Sequence, residues 1–257
     1  MTRNRSTVPA LDRAIDIIEL MASSSHPLSF SEILSSLDIP RPSLARILHT
    51  LRVRGLIEKV EETGRYRLGM KFLYLGHGLK DKIRLRSMAF PFMQELSDLV
   101  QETVELSIFD HDQLVLIEQI EGTDEVRLYS RIGAAYPYLH AVAAGKIYLA
   151  HMEPEKRSRV LEKIGLPAVT DRTITSMERL ERELSEVIEK GYATEDQELR
   201  REVCRIVAPI YEHNGLIAGC LGIAAPAFRL ARQDWDRIGR CVKEIAQRVT
   251  SRLAGEI

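Results

Sequence analysis

The residue types that could recognise another molecule are concentrated in a short segment near the N-terminus. Arg41, Ser43, Arg46 and His49 follow one another there, with the small Ala45 among them. An arginine guanidinium can donate two hydrogen bonds to a guanine edge, and a serine hydroxyl can reach a base or a phosphate. We therefore predict that these four polar side chains contact DNA, provided that the segment forms a helix in the major groove.

A second candidate segment, residues 140–146, does not carry the chemistry that it suggests. It ends in AGK, like a phosphate-binding loop, but such a loop needs glycine in place of His140 and serine or threonine in place of Ile147. His140 and Lys146 could act as acid and base, yet no serine or cysteine nucleophile lies near them in the sequence. We therefore expect no enzyme activity.

The cysteines and the hydropathy exclude further classes of protein. Cys204, Cys220 and Cys241 are far apart, form no Cys-x-x-Cys pair and have no histidine at zinc-ligand spacing, so we expect free thiols and neither a metal nor another cofactor. No stretch approaches about 18 consecutive apolar residues, and residues 1–9 lack the apolar run of a signal peptide. We expect a cytoplasmic protein without membrane contact.

The first 70 residues predict a winged helix-turn-helix that would position the DNA-contacting residues. A capping box of Ser29 and Glu32 opens a second helix, and a third helix begins near Pro42 and stops at Gly55. A hairpin of residues 56–60 and 65–68 follows and forms the wing. The first helix is indicated by apolar residues at helical spacing, Leu11, Ile15, Ile18 and Met21.

The charge distribution agrees with a nucleic-acid partner for the N-terminal part only. Residues 1–90 contain 15 Lys and Arg against 9 Asp and Glu, whereas the remaining residues contain 21 against 28. A solvated basic surface would give the same asymmetry, so the order of elements has to decide. In the wing, we expect Arg65 and Arg67 to meet phosphate or the minor groove and to contribute position more than sequence information.

A linker helix is predicted over residues 71–86. Its apolar face is too long for the small N-terminal domain to cover, so we expect it to be buried between two chains. The alternative is that it packs on the C-terminal part of its own chain. The face consists of Phe72, Leu75, Leu79 and Ile83.

The remaining residues alternate strands with helices and predict a mixed, largely antiparallel sheet with flanking helices. Asn214-Gly215 is a strong hairpin signal, and Thr175 with Glu178 indicates a second capping box. We expect strands at 103–109, 114–120, 126–131, 203–211 and 216–224, and helices at 91–101, 145–151, 155–164, 175–190 and 234–253.

Four stretches, spread over nearly the whole chain, resemble the IclR-type bacterial transcriptional regulators. They are residues 41–48 (RPSLARIL), 66–69 (YRLG), 140–146 (HAVAAGK), and 191–193 (GYA) through Ala208-Pro209. The resemblance implies an α+β protein with a winged helix-turn-helix at residues 1–70, a linker or dimerisation helix at 71–88, and a GAF/PAS-like effector-binding domain at 89–257. It also implies a homodimer or a dimer of dimers on a palindromic double-stranded operator.

The resemblance further implies an effector pocket in the C-terminal domain. Family members often place an aspartate, a cysteine and two serines around the ligand, where this chain has Glu195, Arg205, Gly222 and Ala224. We expect these four residues to form one wall of the pocket. The opposite wall is expected to consist of Leu128, Tyr129, Ile132, Tyr138, His140, Ala143 and Ala144.

The exchange of hydroxyls for charges suggests the class of effector. If Arg205 faces inward, it must pair with Glu195 or with an anionic ligand. In the second case we expect a small carboxylate with an apolar or ring portion, held by Arg205. If Glu195 neutralises Arg205 instead, we expect a neutral ligand or none. In the other possible register, Cys204 faces the pocket and Arg205 faces solvent. The sequence thus predicts a metabolite-sensing DNA-binding regulator. The alternatives are a constitutive regulator with a vestigial pocket and an enzyme fused to a helix-turn-helix.

Overall fold

The chain divides into two units, each with its own core. The structure is a computed structural model that describes residues 8–80, 84–111, 113–136 and 138–255. The contacts between Cα atoms separate residues 1–82 from residues 83–257. We call the first unit the head and the second unit the body.

The head is a winged helix-turn-helix. Its core consists of the buried side chains Ile17, Ile33, Leu44, Leu48 and Ile57. Helix α1 buries Ile17 and Met21 but leaves Leu11 and Ile15 exposed, so the predicted apolar face of α1 was wrong by part of a turn. The elements are α1 (Pro9–Ser23), α2 (Phe30–Ser36), α3 (Arg41–Val53), β1 (Ile57–Lys59), β2 (Tyr66–Leu68) and α4 (Lys71–Lys80).

The predicted capping box at the start of α2 is present. The Ser29 amide donates to a Glu32 carboxylate oxygen at 2.6 Å, and the Glu32 amide donates to the Ser29 hydroxyl at 3.2 Å. These hydrogen bonds, chiefly that from the Ser29 amide, lower the pKa of Glu32 to about 2. The start of α2 is therefore held by local interactions that the sequence specifies.

The body is a six-stranded antiparallel sheet with helices on both faces. The strand order is β5-β4-β3-β8-β7-β6, and every strand pair among the described residues is antiparallel. The strands are β3 (Thr103–Asp110), β4 (Gln113–Ile120), β5 (Ala135–Tyr136), β6 (Ala193–Asp196), β7 (Val203–Tyr211) and β8 (Ile217–Pro226). The helices are α5 (Arg84–Val100), α6 (Ala143–His151), α7 (Pro154–Ile164), α8 (Met177–Lys190) and α9 (Trp235–Ala254).

Side chains along β7 alternate between two packing layers. Cys204, Ile206 and Ala208 join the core formed with α5 and α9. Val207 packs in the second core, with α6, α7 and α8. Arg205 has the parity of Val207 and therefore faces the α6 side. This arrangement decides the register: Arg205 is the inward residue on the α6 side, and Cys204 belongs to the opposite core.

Several predicted elements of the body differ from the structure. Residues 126–131 form no strand, because this segment is held by side-chain hydrogen bonds instead of a backbone ladder. Helix α5 begins at Arg84 and continues through Pro91, so the predicted linker helix of residues 71–86 overlaps the body. The N-cap of α8 is Ser176 and not Thr175. Strand β6 was not predicted.

The predicted apolar face of the linker helix lies only partly within the described residues. Phe72 is half-buried and Leu75 is exposed on α4. Ile83 and the side chain of Leu79 lie outside the described residues. The prediction that this face is buried between chains therefore stays a prediction.

We predict that Gly145→Ala destabilises the body by about 1–3 kcal/mol through overpacking. A Cβ atom at Gly145 would overlap the backbone carbonyl of Leu139, whereas one at Gly76 of α4 would meet nothing within 4 Å. The single tryptophan, Trp235, is buried in the body and reports its unfolding in urea by fluorescence. Gly76→Ala is the matched control and should leave this transition unchanged. An equally stable Gly145→Ala would show that α6 can move away from Leu139.

Candidate DNA-binding surface and effector pocket

Helix α3 presents three of the four predicted DNA-contacting side chains to solvent. Leu44, Leu48 and Leu51 bury one side of the helix, so the opposite side is exposed. Arg41, Arg46 and His49 are exposed there, and in the part of the chain that the structure describes no carboxylate pairs with Arg46. Such an exposed, unpaired arginine on the second helix of a helix-turn-helix is available for DNA.

The other residues of this surface are engaged within the head. The Arg41 guanidinium lies over the Phe30 ring, 5.4 Å from its centroid, which steadies the first turn of α3. Ser43 is half-buried, and its hydroxyl lies 3.4 Å from Arg13 Nη1 of α1. Arg13 was missed by the sequence interpretation, although it lies on the polar side of an amphipathic helix.

The wing arginines both pair with carboxylates inside the head. Arg65 Nη1 donates to Glu32 at 2.9 Å and to the Pro27 carbonyl at 2.9 Å, so it ties the wing to the start of α2. Arg67 pairs with Glu58, its partner across the hairpin, at 3.0 Å. The side chain of Arg67 is 60% exposed, whereas that of Arg65 is 38% exposed. Arg65 thus connects the wing to α2, and the expected phosphate or minor-groove contact of the wing arginines stays a prediction.

In the body, a buried ion-pair network surrounds Arg205. Its Nη1 atom donates to both carboxylate oxygens of Glu195, at 3.0 and 3.2 Å, and its Nε atom donates to Glu105 at 3.1 Å. The side chains of Arg205 and Glu195 are 4% and 0% exposed. The predicted pairing of Arg205 with Glu195 is therefore present. The predicted carboxylate clamp is not, because the guanidinium already has two carboxylate partners.

Burial and charge act against each other in this network. Burial alone would lower the pKa of Arg205, but the charges of Glu195 and Glu105 outweigh it and raise the pKa of the guanidinium. Burial raises the pKa of Glu195, and the charge of Arg205 opposes that shift. Arg205 therefore stays protonated and holds both carboxylates.

Glu105 is the member of the network that sequence interpretation missed. Its second carboxylate oxygen accepts a very short hydrogen bond from the Ser130 hydroxyl. Burial, and next the charge of Glu105, raise the pKa of the nearby Tyr136. The signal was available, because Thr103, Glu105 and Ser107 alternate with Val104 and Leu106 along a strand and must share one face.

The α6 side of the sheet contains a small inner cavity. Its volume of about 20 Å³ is enough for a single water and far too small for a metabolite. The hydroxyl of Ser107 borders it and has no hydrogen-bond partner among the described residues. The cavity is lined by Glu105, Ser107, Leu114, Leu116, Tyr136, Val142, Ala144, Arg205, Val207 and Cys220.

An outer pocket of about 420 Å³ lies on the other side of Tyr136, which lines both spaces. Arg131 and Arg200 are exposed at this pocket, and neither has an ion-pair partner within the described ranges. The outer pocket is lined by Tyr129, Ser130, Arg131, Ala134, Ala135, Tyr136, Tyr138, Leu199 and Arg200.

The predicted pocket residues are only partly brought together. Tyr129 and Tyr138 line the outer pocket, and Ala144 and Arg205 line the inner cavity. Glu195 lies behind Arg205, and the space beside Gly222 is taken by Ile206 and Val207. The predicted residues that line neither space are Leu128, Ile132, His140, Ala143, Glu195, Gly222 and Ala224.

His140 and Lys146 have structural roles. The His140 ring is fully buried, its Nε2 atom lies 3.1 Å from the Pro167 carbonyl, and burial lowers its pKa. The Lys146 ammonium is also fully buried and donates to Glu198 at 2.6 Å, and to Glu183 and the Thr194 carbonyl, each at 3.0 Å. All three ammonium hydrogens of Lys146 are therefore used to join α6 to α8 and β6.

A polar cleft beside β6 has a volume of about 540 Å³ but is lined by charges that pair with one another. Arg172 and Arg232 both pair with Asp196, and Lys190 pairs with Glu186. Among the described residues, no three His, Cys, Asp or Glu side chains are grouped so that they could hold a metal ion. Within the same ranges, no helix is both long and apolar enough to cross a bilayer.

Comparison with known proteins decides the family. The family model described as "Bacterial transcriptional regulator IclR C-terminal" matches residues 77–251, and the "IclR helix-turn-helix domain" matches residues 10–61. The chain belongs to the IclR family. The resemblance found in the sequence is thereby confirmed, as are the α+β fold and the function of a DNA-binding transcriptional regulator with a C-terminal effector-binding domain.

Named relatives in the IclR family include regulators of different systems. The glycerol operon regulatory protein of Streptomyces coelicolor is 31% identical over 91% of this chain and 89% of its own length. The transcriptional regulator XynR of Escherichia coli is 30% identical over 87% of this chain and 88% of its own length.

Solved structures of IclR proteins have the same fold. That of Thermotoga maritima IclR is 25% identical, covers 95% of this chain and 98% of that chain, and has a TM-score of 0.73. An IclR homologue from Microbacterium hydrocarbonoxydans, solved in complex with 4-hydroxybenzoate, is 26% identical, with coverages of 95% and 98% and a TM-score of 0.79.

We predict that Arg205→Met destabilises the body by about 3–5 kcal/mol near neutral pH, because it leaves buried carboxylates without their partner. In this variant the charge of Arg205 no longer opposes the effect of burial, which raises the pKa of Glu195 above its unfolded value, and only the Leu199 amide and the charge of Lys146 still oppose it. A carboxyl with a raised pKa favours the folded state only while it is protonated. The free energy of unfolding should therefore fall as the pH rises from the unfolded pKa of glutamate towards the raised pKa of Glu195.

The added substitution Glu195→Gln is the control for this pH dependence. It removes the titrating carboxyl while keeping its size, so the double variant should show a flatter pH profile in Trp235 fluorescence. A single variant that is as stable as the unchanged chain at every pH would contradict the ion-pair network.

Proposed function

We propose that helix α3 reads an operator through Arg46, together with Arg41, Ser43 and His49. The observation that carries this proposal is the exposed and unpaired guanidinium of Arg46 on the outer side of α3. The N-terminal turns of such a helix face base edges in the major groove. Arg67 of the wing supplies a phosphate or minor-groove contact, whereas Arg65 acts by holding the wing in place.

The regulator acts as a homodimer or a dimer of dimers on a palindromic operator. Leu73, Tyr74 and Leu75 on α4 are 63%, 76% and 57% exposed, which leaves a large apolar surface spread around one short helix. Burial of this surface against a second chain removes it from water. Two heads joined in this way would occupy half-sites about 34 Å apart, or a multiple of that distance.

The effector is a small organic acid, and its carboxylate binds at the outer pocket. Support comes from the volume of that pocket and from the unpaired guanidiniums of Arg131 and Arg200 at its edge. The homologue with bound 4-hydroxybenzoate supports a ligand of the size of a single-ring acid. Catalysis is not part of the proposal, since burial raises the pKa of the Cys220 thiol and keeps it from acting as a thiolate. The protein is cytoplasmic, as expected from the sequence, because the operator DNA that it binds lies in the cytoplasm.

A constitutive regulator with a vestigial pocket is the second candidate. The observation that favours it is the inner cavity of about 20 Å³, which the chain's own side chains have nearly filled. The two candidates differ in one measurable property. A sensing body is stabilised against heat by its effector, whereas a vestigial one is not.

We predict that Arg46→Ala weakens binding to the specific operator by about 1–3 kcal/mol, with a much smaller loss on random DNA. Fluorescence anisotropy with both DNAs at one salt concentration measures the difference. Arg182→Ala is the matched control, because Arg182 is an exposed arginine on α8 of the body. Equal losses on both DNAs would assign Arg46 to phosphate instead of a base.

We also predict that replacing Leu73 and Leu75 together by Glu yields monomers, because charges then occupy the apolar surface of α4. Multi-angle light scattering measures the mass. Leu216→Glu is the control, since Leu216 is equally exposed, at 66%, but lies in a hairpin turn of the body. An unchanged mass for the double variant would mean that α4 is not the interface.

A further inference from the structure

The two ends of the effector site carry opposite charge. The inner cavity is lined in part by Glu105, and the outer pocket is lined in part by Arg131 and Arg200. We propose that the effector is bifunctional: its carboxylate stays at Arg131 and Arg200, and a hydroxyl or amino group at its far end donates a hydrogen bond to Glu105. This inference rests on the proposed sensing function. It adds the polarity of the ligand, that is, which end of the ligand binds at which residues.

The inner end of the effector site is the inner cavity, where Glu105, Glu195 and Arg205 together have a net negative charge. Glu195 places both of its oxygens on one nitrogen of Arg205, so the two charges are matched in a space closed to solvent. Glu105 is then the additional charge, and it is the one of the two carboxylates that borders the cavity. A ligand carboxylate placed here would become the third carboxylate around one guanidinium, which is unfavourable without water.

A hydrogen-bond donor meets suitable partners at the same place. Glu105 receives hydrogen bonds from Arg205 and Ser130, and carboxylate oxygens can accept more than one each. The Ser107 hydroxyl also borders the cavity and is not used by the described residues. A hydroxyl that enters the cavity can therefore donate to Glu105 and accept from Ser107.

The outer pocket fits the opposite end and the body of such a ligand. Tyr129 and Tyr138 provide flat surfaces for a ring or a short apolar chain, and about 420 Å³ is ample for one ring. Arg131 and Arg200 are unpaired in the described part of the chain, so a carboxylate here completes charge-assisted hydrogen bonds. Since Tyr136 lines both spaces, the far end of the ligand reaches Glu105 by displacing the Tyr136 ring.

Four single-ring compounds test this polarity by titration calorimetry on the full chain. 4-Hydroxybenzoate has both required groups. 4-Methoxybenzoate replaces the donor hydrogen by a methyl group, 4-hydroxybenzamide replaces the carboxylate by a neutral amide, and terephthalate places a second carboxylate at the far end. We expect 4-hydroxybenzoate to bind roughly tenfold or more tightly than each of the other three, as one charge-assisted hydrogen bond is gained or lost.

Two substitutions assign the ends. Arg200→Gln should reduce the affinity for 4-hydroxybenzoate but not that for 4-hydroxybenzamide, and Arg182→Gln on α8 should change neither. Glu105→Gln removes the inner charge at constant size and should reduce the preference for 4-hydroxybenzoate over terephthalate. The fluorescence of Trp235 shows whether this variant folds. If Glu105→Gln does not fold, the four compounds and Arg200→Gln still test the polarity of the ligand.

Terephthalate or 4-methoxybenzoate binding as tightly as 4-hydroxybenzoate to the unchanged chain would overturn the polarity. If none of the four compounds binds while the operator is still bound, the inference also fails, and the constitutive regulator is favoured. Absence of specific operator binding by the ligand-free chain would instead contradict the proposed function itself. The two failures are therefore distinguishable.

Discussion

A guanidinium that has lost its water must be surrounded by acceptors, and this requirement organises the body around Arg205. The side chain lies across the α6 face of the sheet and is 4% exposed. It holds Glu195 from β6 on one side and Glu105 from β3 on the other. Removal of either carboxylate leaves a buried charge with fewer partners, so the three residues stabilise the body only as a set. The network connects strands that are not adjacent, β3 and β7.

Small side chains on β8 make room for this network. Strand β8 lies between β3 and β7, and Gly222 and Ala224 face the same side of the sheet as Arg205. Ala224 is the direct cross-strand partner of Arg205, and Gly222 is the partner of Glu105. A larger residue at Ala224 would lie beside the Arg205 side chain, whereas a Cβ atom at Gly222 would meet Ile206 and Val207 instead. Ala224 is thus the residue of β8 that leaves room for the arginine.

The sequence was informative where structure depends on neighbours along the chain. The Ser29 and Glu32 capping box, strand β7 and the turn at Gly215, whose φ of 81° suits glycine, all follow from local residue types. It was uninformative where partners are distant. Glu105 and Arg205 are separated by 100 positions, and Arg65 and Glu32 by 33. No periodicity specifies such pairs, because alternation assigns a side chain to a face but not to a partner.

The strand predicted at residues 126–131 is absent for the same reason, since alternation along the chain does not specify a partner. This segment also matters for ligand sensing. Its alternation suited a strand, but β4 is paired instead with Ala135 and Tyr136. The segment is attached by Thr103 to the Leu128 carbonyl and by Gln119 and Glu105 to Ser130. A wall held by a few side chains rearranges at lower cost than a strand held by a backbone ladder. Because Glu105 is part of that attachment, a ligand group that competes for this carboxylate also loosens the wall. The negative charge at the inner cavity and the movement of residues 126–131 that lets a ligand enter therefore both depend on the side chain of Glu105.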